Sequence, residues 1–146
     1  MRIAGFNFTK VVAERSPDFE VGSNISTNIE FVDIKNEETD ITREDSNALR
    51  VSFKFSVSYN EKDKKDSNNA EISFLGFIII ITTKDEANDI LKEWKKKALP
   101  NSFRVPIFSF ILKRCSARAL QLEDELNLPL HVPIPQIKMG NSEGNK

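Results

Sequence analysis

Residues 70–83 read AEISFLGFIIIITT, and from position 75 to 81 every residue except Gly76 is apolar. Successive side chains of a strand point to opposite faces, so Ile72, Phe74, Ile78 and Ile80 line one side while Leu75, Phe77, Ile79 and Ile81 line the other. Both faces want cover. A small antiparallel sheet with helices on one side covers only one of them within its own chain. The second face therefore predicts a self-association surface, an exposed ligand surface, or both. That surplus points to binding rather than to chemistry.

Three strands are expected upstream. In residues 49–59, Leu49, Val51, Phe53, Phe55, Val57 and Tyr59 alternate with Arg50, Ser52, Lys54, Ser56 and Ser58, giving one core face and one wet face. The run EKDKKDSNN at 61–69 then reads as a solvated hairpin connection. In residues 25–36, Ile25, Thr27, Ile29 and Phe31 are in phase, whereas Val32 and Ile34 fall one residue out of step. A β-bulge near Phe31 and Val32 would absorb that slip. Residues 3–14 alternate loosely through Phe6, Phe8, Lys10 and Val12, as an edge strand does. The connection that follows, marked by Ser16-Pro17 and Gly22-Ser23 around Phe19 and Val21, is long enough to cross over instead of forming a hairpin.

Helices follow the strands. Thr83-Lys84-Asp85-Glu86 has capping-box spacing, and Ala87, Ile90, Leu91, Trp94 and Ala98 recur on one face until Pro100 ends the helix. Pro106 suits the first turn of a second helix, with Ile107, Phe108, Ile111, Leu112, Cys115, Ala119 and Leu122 as its apolar stripe. Phe110 lies off that stripe, and core, subunit and ligand contacts all fit it. After Asn127, three prolines keep LPLHVPIPQI extended, and Leu128, Leu130, Val132 and Ile134 share the parity expected to pack on the fold. One domain over residues 1–137 and a polar, disordered tail over 138–146 are expected.

Eleven Phe stand against one Tyr and one Trp, which fits either a Phe-rich core or a partly exposed aromatic groove. The net charge of −1 hides a division along the chain. Residues 14–45 are strongly acidic, while residues 92–118 carry Lys92, Lys95, Lys96, Lys97, Arg104, Lys113, Arg114 and Arg118 against Glu93 alone. Lysines at a helix end complement its dipole. That account is preferred over nucleic-acid binding, because no nucleic-acid motif or aromatic interleaving accompanies the charge.

Catalysis is not expected. The chain has a single His and a single Cys, its Gly residues are scattered, and its acidic pairs have no reaction-specific spacing. No metal or other cofactor is implied. Cys115, on the apolar stripe, reads as a small buried residue, and His131 lies in the extended proline-rich segment. A lone cysteine, the absence of a long apolar run in MRIAGFNFTK and the lack of any apolar stretch near about 20 residues lead to the expectation of a cytoplasmic protein.

Taken together, FNFTKVVAERS, ISTNIEFVDI, NALRVSFKFSVSY, AEISFLGFIIIITT, the helical run from DILKEW to FRVPIFSFILKRCSARAL, and LNLPLHVPIP resemble the SecB-like family of protein-export chaperones. FRVPIFSFILKRC through LNLPL is the most specific part, resembling the family's proline-started long helix and the Leu-Asn-Leu segment after it. The resemblance implies an α+β fold: a four-stranded antiparallel sheet, a crossover between strands one and two, and two helices packed on one face. It also implies dimers pairing into a homotetramer, and ATP-independent holding of unfolded or translocation-competent polypeptides in apolar grooves. Carried onto this chain, the crossover supplies Phe19 and Val21, the long helix Phe108, Ile111 and Leu112, and the sheet Phe74 and Phe77. Each of these has a competing core role. The near-neutral charge and the short end MGNSEGNK depart from the family's acidic pattern, so docking to the SecA motor is not expected. The alternative is a regulatory or assembly subunit dedicated to one partner, as the family's toxin–antitoxin chaperones are.

Overall fold

The computed structural model describes residues 1–20, 22, 24–40, 45–60, 68–133, 135 and 137. Val21, Ile134 and the expected tail at 138–146 lie outside the described residues, as does most of the connection expected at 61–69.

The clean alternation of residues 49–59 forms the middle of β3 (Ser46–Asn60), and the doubly apolar run forms β4 (Asn68–Thr83) beside it. With β1 (Arg2–Arg15) and β2 (Asn24–Glu37) they make one antiparallel sheet of order β1-β4-β3-β2. The first two strands are thus the two edges, and the chain crosses the whole sheet between them, as expected. Across the central ladder Leu49 faces Ile80, Val51 faces Ile78, Phe55 faces Phe74 and Val57 faces Ile72, all buried on the inner face. Phe55 and Phe74 stack with centroids 5.7 Å apart. Leu75, Phe77, Ile79 and Ile81 take the outer face and are only half-buried.

Gly76 occupies an inner position opposite Phe53, where a Cβ would lie 2.4 Å from the Asn7 carbonyl oxygen and 2.8 Å from the Phe53 ring. The backbone oxygen cannot yield without breaking the β1–β4 pairing. Gly76→Ala is expected to destabilise the fold by about 1–3 kcal/mol, the usual cost of overpacking, read as a lower urea midpoint; an unchanged midpoint would contradict this packing.

The slip in β2 is real. Register passes from Phe31↔Phe53 directly to Asp33↔Ser52, leaving Val32 as the extra residue, 54% exposed, and returning Ile34 to the core. β1 carries two further irregularities, between Ile3 and Gly5 and between Phe8 and Lys10.

Two helices cover the inner face. Thr83 caps α1 (Lys84–Lys95) by accepting the Glu86 amide at 3.2 Å. The reciprocal half of the expected capping box is redirected, since the Glu86 carboxylate accepts from the Thr82 hydroxyl instead. α2 (Asn101–Glu125) begins well before Pro106, which lies inside the helix and not in its first turn. The Ser102 carbonyl there loses its usual donor but sits on an exposed turn, where water can serve it. The earlier start adds Phe103 to a buried stripe that continues through Ile107, Ile111, Cys115, Ala119 and Leu122. Both helices end in paired amide-to-carbonyl bonds that place Lys97 (φ 54°) and Asn127 (φ 52°) in the left-handed region. Neither helix is long and apolar enough to cross a membrane.

Beyond α2 the expected parity holds at Leu128 and at half-buried Val132 but breaks between them. Leu128 is buried, but Leu130 is exposed, and His131 turns inward. Its Nδ1 lies 2.9 Å from both oxygens of Glu123, a carboxylate on α2 with no solvent exposure, and its Nε2 lies 3.1 Å from Ser116 Oγ. Tyr59 Oη sits 2.6 Å from Glu123 Oε2 and 2.7 Å from the Pro129 carbonyl, so its single proton serves two acceptors. One acidic side chain therefore ties β3, α2 and the carboxy-terminal segment together. His131→Ala is expected to cost about 2–3 kcal/mol in urea denaturation, because it strips a buried carboxylate of a partner; a loss below about 0.5 kcal/mol, the usual effect of a surface change, would contradict this.

Candidate functional site

The bulge at Val32 meets the end of α1 and the first turns of α2. Ile29 and Phe31 from β2, Trp94 at the end of α1, Lys97 and Leu99 after it, and Arg104 and Phe108 from α2 line an open cleft of about 590 Å3. Such a volume falls within the ordinary range for ligand clefts, roughly 300–1,000 Å3. Its floor is aromatic: Phe31 and Phe108 stack with centroids 4.5 Å apart at 20°, and Phe103 backs Phe31 at 6.1 Å. The Arg104 guanidinium lies 5.6 Å from the Phe108 ring centre.

Another cleft, of about 550 Å3, runs between β1 and α2 and is lined by Phe6, Phe8, Lys113, Arg114 and Arg118 among others. Phe110 packs against Phe6 at 5.8 Å, and Arg114 lies over both rings, 5.1 Å from Phe6 and 5.9 Å from Phe110. Phe110 is thus the aromatic that closes α2 onto the edge strand. At the far end of α2, Arg15, Phe19, Asp124 and residues 127–130 border a third cleft of about 410 Å3. There Arg15 lies 4.8 Å from the Phe19 ring centre and donates to the Leu126 and Asn127 carbonyls at 2.7 and 2.8 Å.

The candidate binding residues do not share one groove. Phe108 lines the first cleft, whereas Phe19 lines the third, about 24 Å away along α2 at 1.5 Å per residue. Leu112, 43% exposed, lies on α2 outside the first cleft's lining. Phe74 and Ile111 are fully buried, because their parity and helical phase point them at the core, and in this arrangement they offer no surface. Phe77 faces the opposite side of the sheet under the Arg50 guanidinium, 3.9 Å from its ring centre. Glu37 holds that arginine at 2.8 and 2.9 Å, and these hydrogen bonds lower the Glu37 pKa and raise that of Arg50. Val21 lies outside the described residues.

Sequence reasoning missed Trp94, Leu99, Phe31 and Lys97 as lining residues. The expected slip at Val32 was the available signal, since a bulge on an edge strand re-aims side chains. The only Trp, placed just before a run of lysines, was a second.

Two buried groups near α2, Cys115 and Tyr59, are held neutral. Burial pushes the Cys115 thiol up to about 12 from 9.0, and burial first, then the Glu123 carboxylate, raises the Tyr59 phenol. Cys115 is therefore a poor nucleophile at neutral pH. In the unfolded chain the thiol ionises near 9.0, in the fold only near 12, so its contribution to stability is complete below about pH 9 and declines as pH rises toward 12. Tyr59 adds a loss of the same sign at higher pH. Urea midpoints are expected to fall above about pH 9, less steeply in Cys115→Ala; identical slopes for the two proteins would exclude the thiol as a cause.

A four-stranded antiparallel sheet of order β1-β4-β3-β2, an edge-to-edge crossover and two helices on one face constitute the SecB-like fold. A solved structure with this fold is the Mycobacterium tuberculosis SecB-like chaperone Rv1957, in complex with a ChAD peptide from the HigA1 antitoxin. It is 13% identical, the alignment covers 94% of this chain and 92% of that one, and the TM-score is 0.50. No protein-family model matches the chain, and no curated protein matches it.

Proposed function

We propose that the protein is an ATP-independent holdase chaperone that binds unfolded or translocation-competent polypeptides in the cytoplasm. The observation that carries this reading is the stacked Phe31–Phe108 pair on the floor of an open cleft walled by Trp94 and Leu99. Apolar burial is non-directional and yields roughly 25 cal/mol per Å2, so a client aromatic burying about 150–250 Å2 would be held by several kcal/mol whatever its sequence context. The neighbour of like fold binds a peptide, which supports polypeptide as the ligand class. Additional clefts on the flanks and far end of α2 would let separate segments of one client bind together at raised effective concentration.

A homo-oligomer, either a dimer or a dimer of dimers, belongs to the same reading. Val105 and Leu112 are 58% and 43% exposed on α2, with the small, exposed Ser109 between them. This patch suits packing against α2 of a second copy, where small residues permit close approach of the helices. The half-buried outer stripe of β4 is a second surface for association.

The purified protein is expected to suppress aggregation of a denatured model client at stoichiometric ratios without nucleotide, and a double substitution Trp94→Ala, Phe108→Ala is expected to weaken suppression several-fold. Leu112→Asp is expected to lower the solution mass. Unchanged light scattering across several clients would overturn the proposal. The antitoxin peptide bound to the neighbour favours a second reading, a chaperone dedicated to one partner. In that case affinity capture from the native host returns one dominant companion and general clients aggregate unhindered.

A further inference from the structure

Among the charged residues that line the aromatic cleft, cations outnumber acids, Lys97 and Arg104 standing against Glu30. Lys97 and Arg104 both line it, and neither side chain has a carboxylate partner among the described residues. The acidic groups nearby are otherwise placed. Glu30 also borders the cleft, but its register puts it opposite Lys54, and Glu93 lines a different cleft. Lys92, Lys95 and Lys96 precede Lys97 with Glu93 alone among them, so the local charge at this end of the cleft is net positive.

The backbone supplies an independent observation. Lys97 has φ 54°, the left-handed conformation in which helix ends normally carry Gly or Asn, and the other such helix end here does carry Asn127. A lysine in that place is a strained choice for ending a helix, and it puts an ammonium group at the cleft. The flank facing β1 repeats the chemistry, with Arg114 over Phe6 and Phe110 beside Lys113 and Arg118.

We infer that the cleft selects extended polypeptide segments in which an acidic residue lies next to an aromatic or aliphatic one, the apolar side chain settling on Phe31, Trp94 and Phe108 while Lys97 and Arg104 take the carboxylate. This rests on the reading of the cleft as a polypeptide site and adds its selectivity. A nucleic-acid strand, the other polyanion such a rim could attract, fits less well. Phe31 and Phe108 are stacked on one another at 4.5 Å, so each already has one face occupied and fewer ring faces are open to stacked bases.

The test uses short fluorescent peptides of one apolar sequence flanked by Asp, Gln or Lys, with binding followed by anisotropy. At about 50 mM salt the Asp peptide is expected to bind about fivefold more tightly than the Gln peptide, and the Lys peptide more weakly than either. At about 0.5 M salt the differences should disappear while Gln-peptide binding persists. The variant Lys97→Gly, Arg104→Gln is expected to bind all three peptides alike. Lys97→Gly alone should raise the urea midpoint, since glycine adopts that backbone freely, so a lost preference cannot be laid to misfolding. Equal binding of Asp and Lys peptides by the parent would overturn the selectivity and leave the holdase reading intact. A preference that survives in the variant would also overturn it. Binding of no peptide would overturn both readings, and displacement of the Asp peptide by stoichiometric single-stranded RNA would replace polypeptide with nucleic acid as the ligand.

Discussion

The inner ladder of β3 against β4 is the constraint that the rest of the molecule obeys. From Leu49↔Ile80 through Val57↔Ile72 every pair is apolar and buried, and the ring of Phe53 fits only because its opposite residue is Gly76. Such a surface has to be covered, and the i, i+4 stripe of α2 from Phe103 to Ala119 covers it. A strand cannot turn one face inward without turning the other out. The outer row Leu75, Phe77, Ile79 and Ile81 is therefore left half-covered, with the Arg50–Glu37 pair over its largest member.

Periodic features were legible in the sequence. The alternation around Val51 to Tyr59, the phase slip at Val32, the crossover and the Thr83 cap each reflect a local rule that tertiary packing had no reason to override. Where packing did override a local rule, the reading missed. Pro106 is a good first-turn residue, yet the gain from burying Phe103 extends the helix past it. In the carboxy-terminal segment the apolar parity pointed to Leu130, but the unmet hydrogen-bonding need of buried Glu123 pulls in His131. A lone histidine among prolines carries no sign of a carboxylate eight residues upstream that needs it.

The candidate site was legible only in part, for a geometric reason. Its walls come from β2 and, some sixty positions later in the chain, from the end of α1 and the start of α2, so no local pattern marks the strand and the helices as neighbours. Phe108 was found because it belongs to a recognisable helix. Phe74 and Ile111 belong to equally recognisable elements but to their inward phases, and hydrophobic identity alone cannot separate a residue that forms a floor from one that lies beneath it.

The extra residue in β2 bears on how a guest would leave. An edge strand normally offers an uninterrupted row of amides and carbonyls on which an incoming chain can grow as a new strand. At Val32 that row is broken, and the break coincides with the cleft. A polypeptide seated there would be gripped through its side chains and zippered to the backbone over only a few residues on either side, an attachment built for letting go.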